Sequence, residues 1–350
     1  MTQRAPLSLG RRGLLGGLAG AAALGGGLVV RNQLRHAHPD ETVRPDGQFR
    51  KLTLACPHPA HDPVLALALH EGFLARYNLD ITVLSGFASG QEALAQLRPG
   101  GADVAIAAAL SWLPRLLGGL DAKMVAGLQS GSARLLVDRK SAFKRIEDLH
   151  RHSIGLANAG GGADAGADRL FFSIMMRRKG MNPNVDVNWV SVAPEHFGDA
   201  LASGQVQAVA GHDPVIWQVR ERLRLVELGS SMTGSYAQRV SRVLGVRGDL
   251  LTADPQAAVS LVLAFQDAAR TVAHHLEETA SILADQLPDM TLPTIQKMLE
   301  AEGHAVHPVG PELREQIAQY IDELKLLGLV PEEQDSGGLS KQFCRTVLHG

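Results

Sequence analysis

Cys56-Pro57-His58-Pro59-Ala60-His61-Asp62 places a thiol, two imidazoles and a carboxylate in one short proline-bounded turn. A cysteine attacks as its thiolate, and His58 or His61 is the neighbour that would lower its pKa. The alternative is a small residue buried at the end of a strand. His58-x-x-His61 is also half of a metal site, but no Cys/His set with zinc-finger spacing completes it, so neither metal nor cofactor is expected.

Three Gly- or Ser-rich stretches join a predicted strand to a predicted helix: Cys56 to Asp62, Ser85 to Gly90, and Asn158 to Asp164. Free backbone N–H groups and the helix dipole at such places favour an anionic or strongly polar ligand atom. Ordinary N-capping is the competing use of the same residues. Gly160-Gly161-Gly162 is neither a GxGxxG fingerprint nor a P-loop, which argues against a nucleotide. Asp62, Asp164 and Asp213 fall at or beside these loops. Burying a carboxylate near a bare anion is costly, so these acids suit a zwitterion or an N–H-bearing heterocycle, unless each caps its own helix. Of Trp112, Trp189 and Trp217, Trp112 is best placed to stack on a ligand ring, because it follows a strand end.

The elements that must carry these residues alternate. Leu52–Ala55 reads as a strand, 64–77 as a helix and Ile81–Leu84 as a second strand, a βαβ unit. A helix through Leu97, a strand at 103–107, a helix after Leu110 and strands near 124–128 and 134–137 follow. A second series runs through a strand at 153–156, a helix at 165–179 and a strand at 186–191. The strand 243–246 returns to the first half, and everything beyond Pro255 is amphipathic helix.

One phrase occurs twice. Glu92-Ala-Leu-Ala-Gln-Leu97 turns into Ala102-Asp-Val-Ala-Ile-Ala107, and Asp199-Ala-Leu-Ala202 turns through Ser203-Gly-Gln205 into Val206-Gln-Ala-Val-Ala-Gly211. Two copies this far apart suggest two similar α/β lobes rather than a solenoid. A cleft between lobes is a common ligand site. At 350 residues the chain has room for two cores, and a net charge of −2 gives nucleic acid no footing.

Every charge before Pro39 is an arginine, and Arg11-Arg12 stand directly before the charge-free run Gly13 to Val30. That order is the order of a twin-arginine export signal. The run is rich in glycine and no Ala-x-Ala site follows Val30, so cleavage and a retained tether are both open. Residues 1–38 are therefore expected to be signal or tether plus linker, with the protein working in the periplasm. Two cysteines, Cys56 and Cys344, are too few for a disulfide framework.

Several phrases carry a family resemblance. They are Leu67-x-x-His70-Glu-Gly-Phe-Leu-Ala-Arg-Tyr-Asn-Leu-Asp-Ile81, Gly86-x-x-Ser89-Gly90-x-Glu92-Ala-Leu94, Ile146-x-Asp148-Leu149-x-x-x-x-Ile154-Gly155, Ala200 to Val206 and Asp213-Pro214. From Leu52 to Val246 the chain resembles the periplasmic substrate-binding proteins of nitrate/sulfonate/taurine-type ABC importers. The resemblance implies a two-lobed α/β periplasmic-binding-protein-like fold of type II, each lobe a mixed, mostly parallel sheet flanked by helices. It implies lobe 1 from 50–137 plus 243–350, and lobe 2 from 138–242. It also implies a monomer that binds a small anion or zwitterion for a permease and ATPase, touching the membrane only through its signal or tether or that permease. The implied ligand contacts are His58, His61, Asp62, Ser89, Gly90, Ala109, Ser111, Trp112, Asn158, Gly161, Gly162, Asp164, His212 and Asp213. Cys56-Pro-His-Pro59 is similar to the Cys-Pro-x-Pro phrase of a desulfinase of the same fold family. The alternative activity is therefore an enzyme with Cys56 as nucleophile, helped by His58 and His61.

Overall fold

The computed structural model describes residues 45–348; the expected export signal at 1–38 lies outside them. Ten strands form two sheets: β1 (Arg50–Ala55), β2 (Leu79–Leu84), β3 (Val104–Ala108), β4 (Ala122–Ser130), β5 (Ala133–Val137), β6 (His152–Leu156), β7 (Val187–Ser191), β8 (Ala208–His212), β9 (Val226–Ser230) and β10 (Val240–Arg247). The five-stranded orders are β2-β1-β3-β10-β4 and β7-β6-β8-β5-β9. These are the same order twice. In each sheet the fourth strand, β10 or β5, is antiparallel to its neighbours and the first three are parallel. The repeated phrase lands at equivalent places, on a helix and the central strand β3 in one sheet and on a helix and β8 in the other.

The lobe boundary differs from the expected one. Residues 133–137 were assigned to the first lobe, but β5 pairs with β8 and β9 in the second sheet. The chain crosses between the sheets at Gly131-Ser132 and again over Ser231–Arg239, three residues before the expected return at 243. Apolar pattern alone cannot place these crossings. β4 and β5 are both buried runs separated by two residues, and a hairpin within one sheet would read the same way.

The predicted helix 64–77 is broken into Pro63–His70 and Phe73–Arg76 because Gly72 adopts φ +67°, a left-handed conformation that ends the first helix. Each sheet is covered on both faces, which is why β3 and β5 are nearly continuous apolar runs. Leu54, Ile106, Leu128 and Leu244 pack beneath the helices Pro63–His70 and Pro255–His274. On the opposite face a single apolar cluster runs from Ala105, Ala107 and Trp112 to Leu135, Ile154 and Phe172 of the second sheet. The two sheets therefore share a core on that side.

Trp112 anchors this cluster. It is fully buried, its Nε1 donates to Val243 O at 3.1 Å, and its ring lies flush against the backbone of Gly245. A Cβ at Gly245 would collide with that ring and with the Lys123 carbonyl. Overpacking a rigid buried ring costs about 1–3 kcal/mol. Gly245→Ala should lower the urea midpoint by that equivalent; an unchanged midpoint would mean that the β10 backbone moves aside freely.

Candidate functional site

The carboxyl ends of the parallel strands in both sheets face each other across a cavity of about 190 Å³. Ala108 at the end of β3, Gln129 and Ser130 at the end of β4, Leu156 of β6 and His212 of β8 all line it. The antiparallel strands bring their first residues to the same place: Arg242 pairs with Ala108 and Gln129, and Ala133 pairs with His212. Ligands of open α/β sheets bind at such carboxyl ends. Phe171, Phe197, Tyr236 and Tyr320 supply much of the wall. Tyr236 is held by its hydroxyl, which donates to Glu323 at 3.0 Å, while Arg239 donates to the same carboxylate at 2.7 Å.

Two charged pairs reach the cavity. Arg242 lies 3.3 Å from Asp62 through Nε and Oδ2. Across from it, His212 Nδ1 is 2.9 Å from Asp168 Oδ2. The Asp168 carboxylate raises the His212 pKa, more than burial opposes it. His58, which also lines the cavity, is pushed the other way by burial and by His212. His61, stacked on His58 with centroids 5.1 Å apart, falls to about 3 for the same kind of reason, burial first. Of the three imidazoles, His212 is thus the one whose protonated form the surroundings favour, and the Arg242 guanidinium lies on the same wall.

Of the expected contacts, His58, Ser89, Gly90, Ser111, Asn158 and His212 line the cavity. Gly90 is needed there, since a Cβ would come within 2.6 Å of Ser111 Oγ. The others do not line it, each for a physical reason. Asp62, 0% exposed, caps the helix Pro63–His70 by accepting from Leu65 N at 2.9 Å and faces Arg242 from behind. Asp213, 3% exposed, accepts from Arg134 Nε at 3.0 Å. Ala109 and Trp112 are core residues. Gly161, Gly162 and Asp164 turn outward to solvent. His61 lies behind His58 and is not part of the lining.

The expected donor loops are largely self-satisfied. Ser89 Oγ accepts from Glu92 N at 3.2 Å, an N-cap, and Glu92 accepts from Ala88 N, one residue before that cap, at 2.9 Å. Asn158 Oδ1 accepts from Gly160 N at 3.0 Å. Instead, the helices Ala109–Leu117 and Ala167–Arg178 begin at the cavity with Ala108 and Gly166 as N-caps, residues that have no side chain to accept from the first turn. Their leading N–H groups are the ones free to meet a ligand.

Sequence reasoning missed Arg242, Gln129 and Asp168. The strand reading began at 243, one residue after Arg242, because the unbroken apolar run begins there, whereas the strand itself begins at Val240. Asp168 fell inside the predicted helix 165–179, and Gln129 lay one residue beyond the predicted strand 124–128. Aromatic walls were sought among tryptophans, but Trp189 Nε1 donates to Pro183 O at 2.7 Å and Trp217 carries Arg220 on its ring.

Cys56 is 0% exposed, and burial, aided by the Asp62 charge, pushes its thiol up to about 12. It is not among the lining residues. Among the described residues no helix is long and apolar enough to cross a membrane.

Residues 49–287 match the NMT1-like family, well over half of the 350-residue chain, and the chain belongs to that family. No curated protein matches it in sequence. Among solved structures it is similar to the alkanesulfonate-binding protein SsuA from Xanthomonas axonopodis pv. citri bound to MOPS, at 18% identity over 83% of this chain and 98% of that one, TM-score 0.67. It is also similar to the periplasmic aliphatic sulphonate binding protein SsuA from Escherichia coli, at 18% identity over 87% and 95%, TM-score 0.69. A third likeness is to the periplasmic nitrate-binding protein NrtA from Synechocystis PCC 6803, at 16% identity over 87% of each chain, TM-score 0.67. These likenesses show the periplasmic-binding-protein fold.

Two measurements check the site's proton states. A thiol at about 12 is thiolate in about one molecule in 10⁵ at pH 7. Cys56 should therefore resist iodoacetamide in the folded protein and label in urea; rapid labelling of the folded form would show a reactive thiol. Asp168→Asn should lower the His212 pKa, read from the ring proton shifts by NMR titration. No change would mean that Asp168 does not hold the proton there.

Proposed function

We propose that this chain is an exported solute-binding protein that captures a small anionic or zwitterionic solute, such as a sulfonate, taurine or nitrate, and presents it to an ABC permease and its ATPase. It works in the periplasm as a monomer, delivered by the twin-arginine segment, which is cleaved or kept as a tether. The observation that carries this reading is the cavity between two sheets of identical order with Arg242 and the Asp168-paired His212 on its wall. Arg242 holds the anionic group, with the first-turn N–H groups of the helices Ala109–Leu117 and Ala167–Arg178 beside it. Ser111, Asn158, His58, Ser89 and Gly90 form the polar part of the wall. The sulfonate, sulphonate and nitrate named for proteins of this fold support an oxyanion group on the ligand.

Desulfinase-like chemistry at Cys56 receives no support from a buried thiol whose pKa lies near 12.

A thermal-shift screen against nitrate, bicarbonate, taurine, alkane- and arylsulfonates, aromatic sulfinates and pyrimidines tests the reading. A ligand at about 100 times its Kd should stabilise the protein by about 2.7 kcal/mol. No shift with any of them, together with consumption of a sulfinate, would favour the enzyme. For a solute that does bind, Arg242→Gln should weaken affinity about 10- to 100-fold, since it removes the cation and leaves Asp62 unneutralised behind the site. The double variant Arg242→Gln/Asp62→Asn should regain thermal stability without regaining affinity. Affinity for an anion should also fall as pH rises through the raised His212 pKa, because the imidazolium loses its charge there; a flat profile would remove His212 from the ligand's surroundings.

A further inference from the structure

The helix Ala167–Arg178 is held at both ends by side chains from the first sheet's half of the molecule. The helix itself packs on β5 and β8 of the second sheet, and it opens at the cavity with Asp168 and Phe171 on the wall. Two residues before its start, Ala165 O accepts from Gln91 Nε2 at 2.7 Å. Gln91 belongs to the helix Gly90–Leu94, which packs on β3 of the first sheet. At the other end, Arg178 Nη2 donates to Glu323 Oε1. Glu323, 2% exposed, belongs to the helix Gly310–Leu326, which packs on β4 of the first sheet.

Twelve residues of helix span about 18 Å, and a rod fastened at both ends has neither end free to swing. Glu323 Oε1 accepts from Arg239 and Tyr236 as well, both in the segment by which the chain crosses back to the first sheet. One carboxylate oxygen thus joins a helix of each half to the crossover between them. Neither hold is needed to keep a polar group satisfied. Gln91 lines the cavity and the Arg178 side chain is 44% exposed, so water is within reach of both, yet each reaches across to the other half. The gap between Arg242 on β10 and the leading N–H groups of Ala167–Arg178 is therefore set by the protein's own bonds.

We propose that Gln91 and the Arg178–Glu323 pair are positioning residues for ligand capture: they clamp the helix Ala167–Arg178 against the first sheet's half, so that the site is assembled before a ligand arrives. The inference rests on the solute-binding reading above. A site set in advance spares the ligand the cost of ordering it. Releasing the clamps lets the two walls part, and the measured affinity then falls by the fraction of molecules still in the competent arrangement.

Pulsed electron spin resonance distances between two nitroxide labels test it, together with titration calorimetry. Labels at Asp199→Cys, exposed beside the second sheet, and Asp289→Cys, exposed beside the first, span the two halves, and the native Cys56 and Cys344 are buried. Without ligand the labelled protein should give one narrow distance distribution, and adding Gln91→Met with Arg178→Met should broaden it or add a second distance. For whichever of taurine, nitrate or the alkane- and arylsulfonates binds in the thermal-shift screen, that double variant should bind about tenfold more weakly, as expected when the competent arrangement falls to about a tenth of the population. Saturating solute should restore the narrow distribution. Arg178 is not a lining residue, so a loss of affinity in Arg178→Met alone does not come from a lost ligand contact. That single variant leaves Glu323 paired with Arg239, and it carries both measurements if the double variant does not fold. A broad distribution in the otherwise wild-type protein, one that the substitutions leave unchanged, or an unchanged affinity overturns the inference and leaves the solute-binding reading standing. No binding by any solute of the screen overturns both.

Discussion

The first sheet is completed by a strand that returns to it after all five strands of the second, and the site depends on that return. β10 follows the second sheet in the chain and lies between β3 and β4, while β5, the first strand of the second sheet, lies between β8 and β9. Because the inserted strand runs antiparallel, its first residues meet the last residues of its neighbours. The carboxyl ends of parallel strands are where an open α/β sheet leaves room for a ligand. The ladder therefore fixes Arg242 beside Ala108 and Gln129 at the cavity, and it sets His212 against Ala133 on the other side. A slip of one residue in β10 would turn Arg242 to the other face and put Ser241 or Val243 in its place.

Charge burial imposes the second constraint. A carboxylate taken out of water must be paired and hydrogen-bonded, and three acids of this chain meet the demand locally. Asp62 combines a helix cap with Arg242, Asp213 takes Arg134, and Glu323 takes Arg239 together with the Tyr236 hydroxyl. These pairs lie close behind the cavity wall and hold the crossovers and aromatic side chains in place. The acids nearest the strand ends in sequence are thus committed to structure. Asp168, in the first turn of an uncapped helix, is the acid that lines the cavity.

Much of the architecture was legible in advance. The doubled phrase at 92–107 and 199–211 marks the central strand of each sheet, because helix, tight turn and buried strand must recur wherever the same layer is built twice. Of the candidate contacts, those that open directly off a strand end, such as Ser111 and His212, reached the cavity. Gly161, Gly162 and Asp164 did not, because a glycine-rich loop has no apolar pattern to say which way it turns. Trp112 failed in the opposite sense: its place after β3 was read well, but a helix face that meets Gly245 gives the ring a closer apolar fit than the cavity does.

The sequence by itself determined what local patterns encode: which runs are strands and helices, that two lobes of like build are present, and that strand-to-helix junctions carry the polar residues. These follow from periodicity and backbone preference, which act over a few residues. Only the tertiary structure decided where the chain crosses between sheets and which cation, acid and amide share a wall. Arg242 lies 180 residues from Asp62 and 113 from Gln129 along the chain, and no local preference links positions so far apart. Their proximity comes from ladder register and from the requirement that a buried guanidinium and a buried carboxylate find each other.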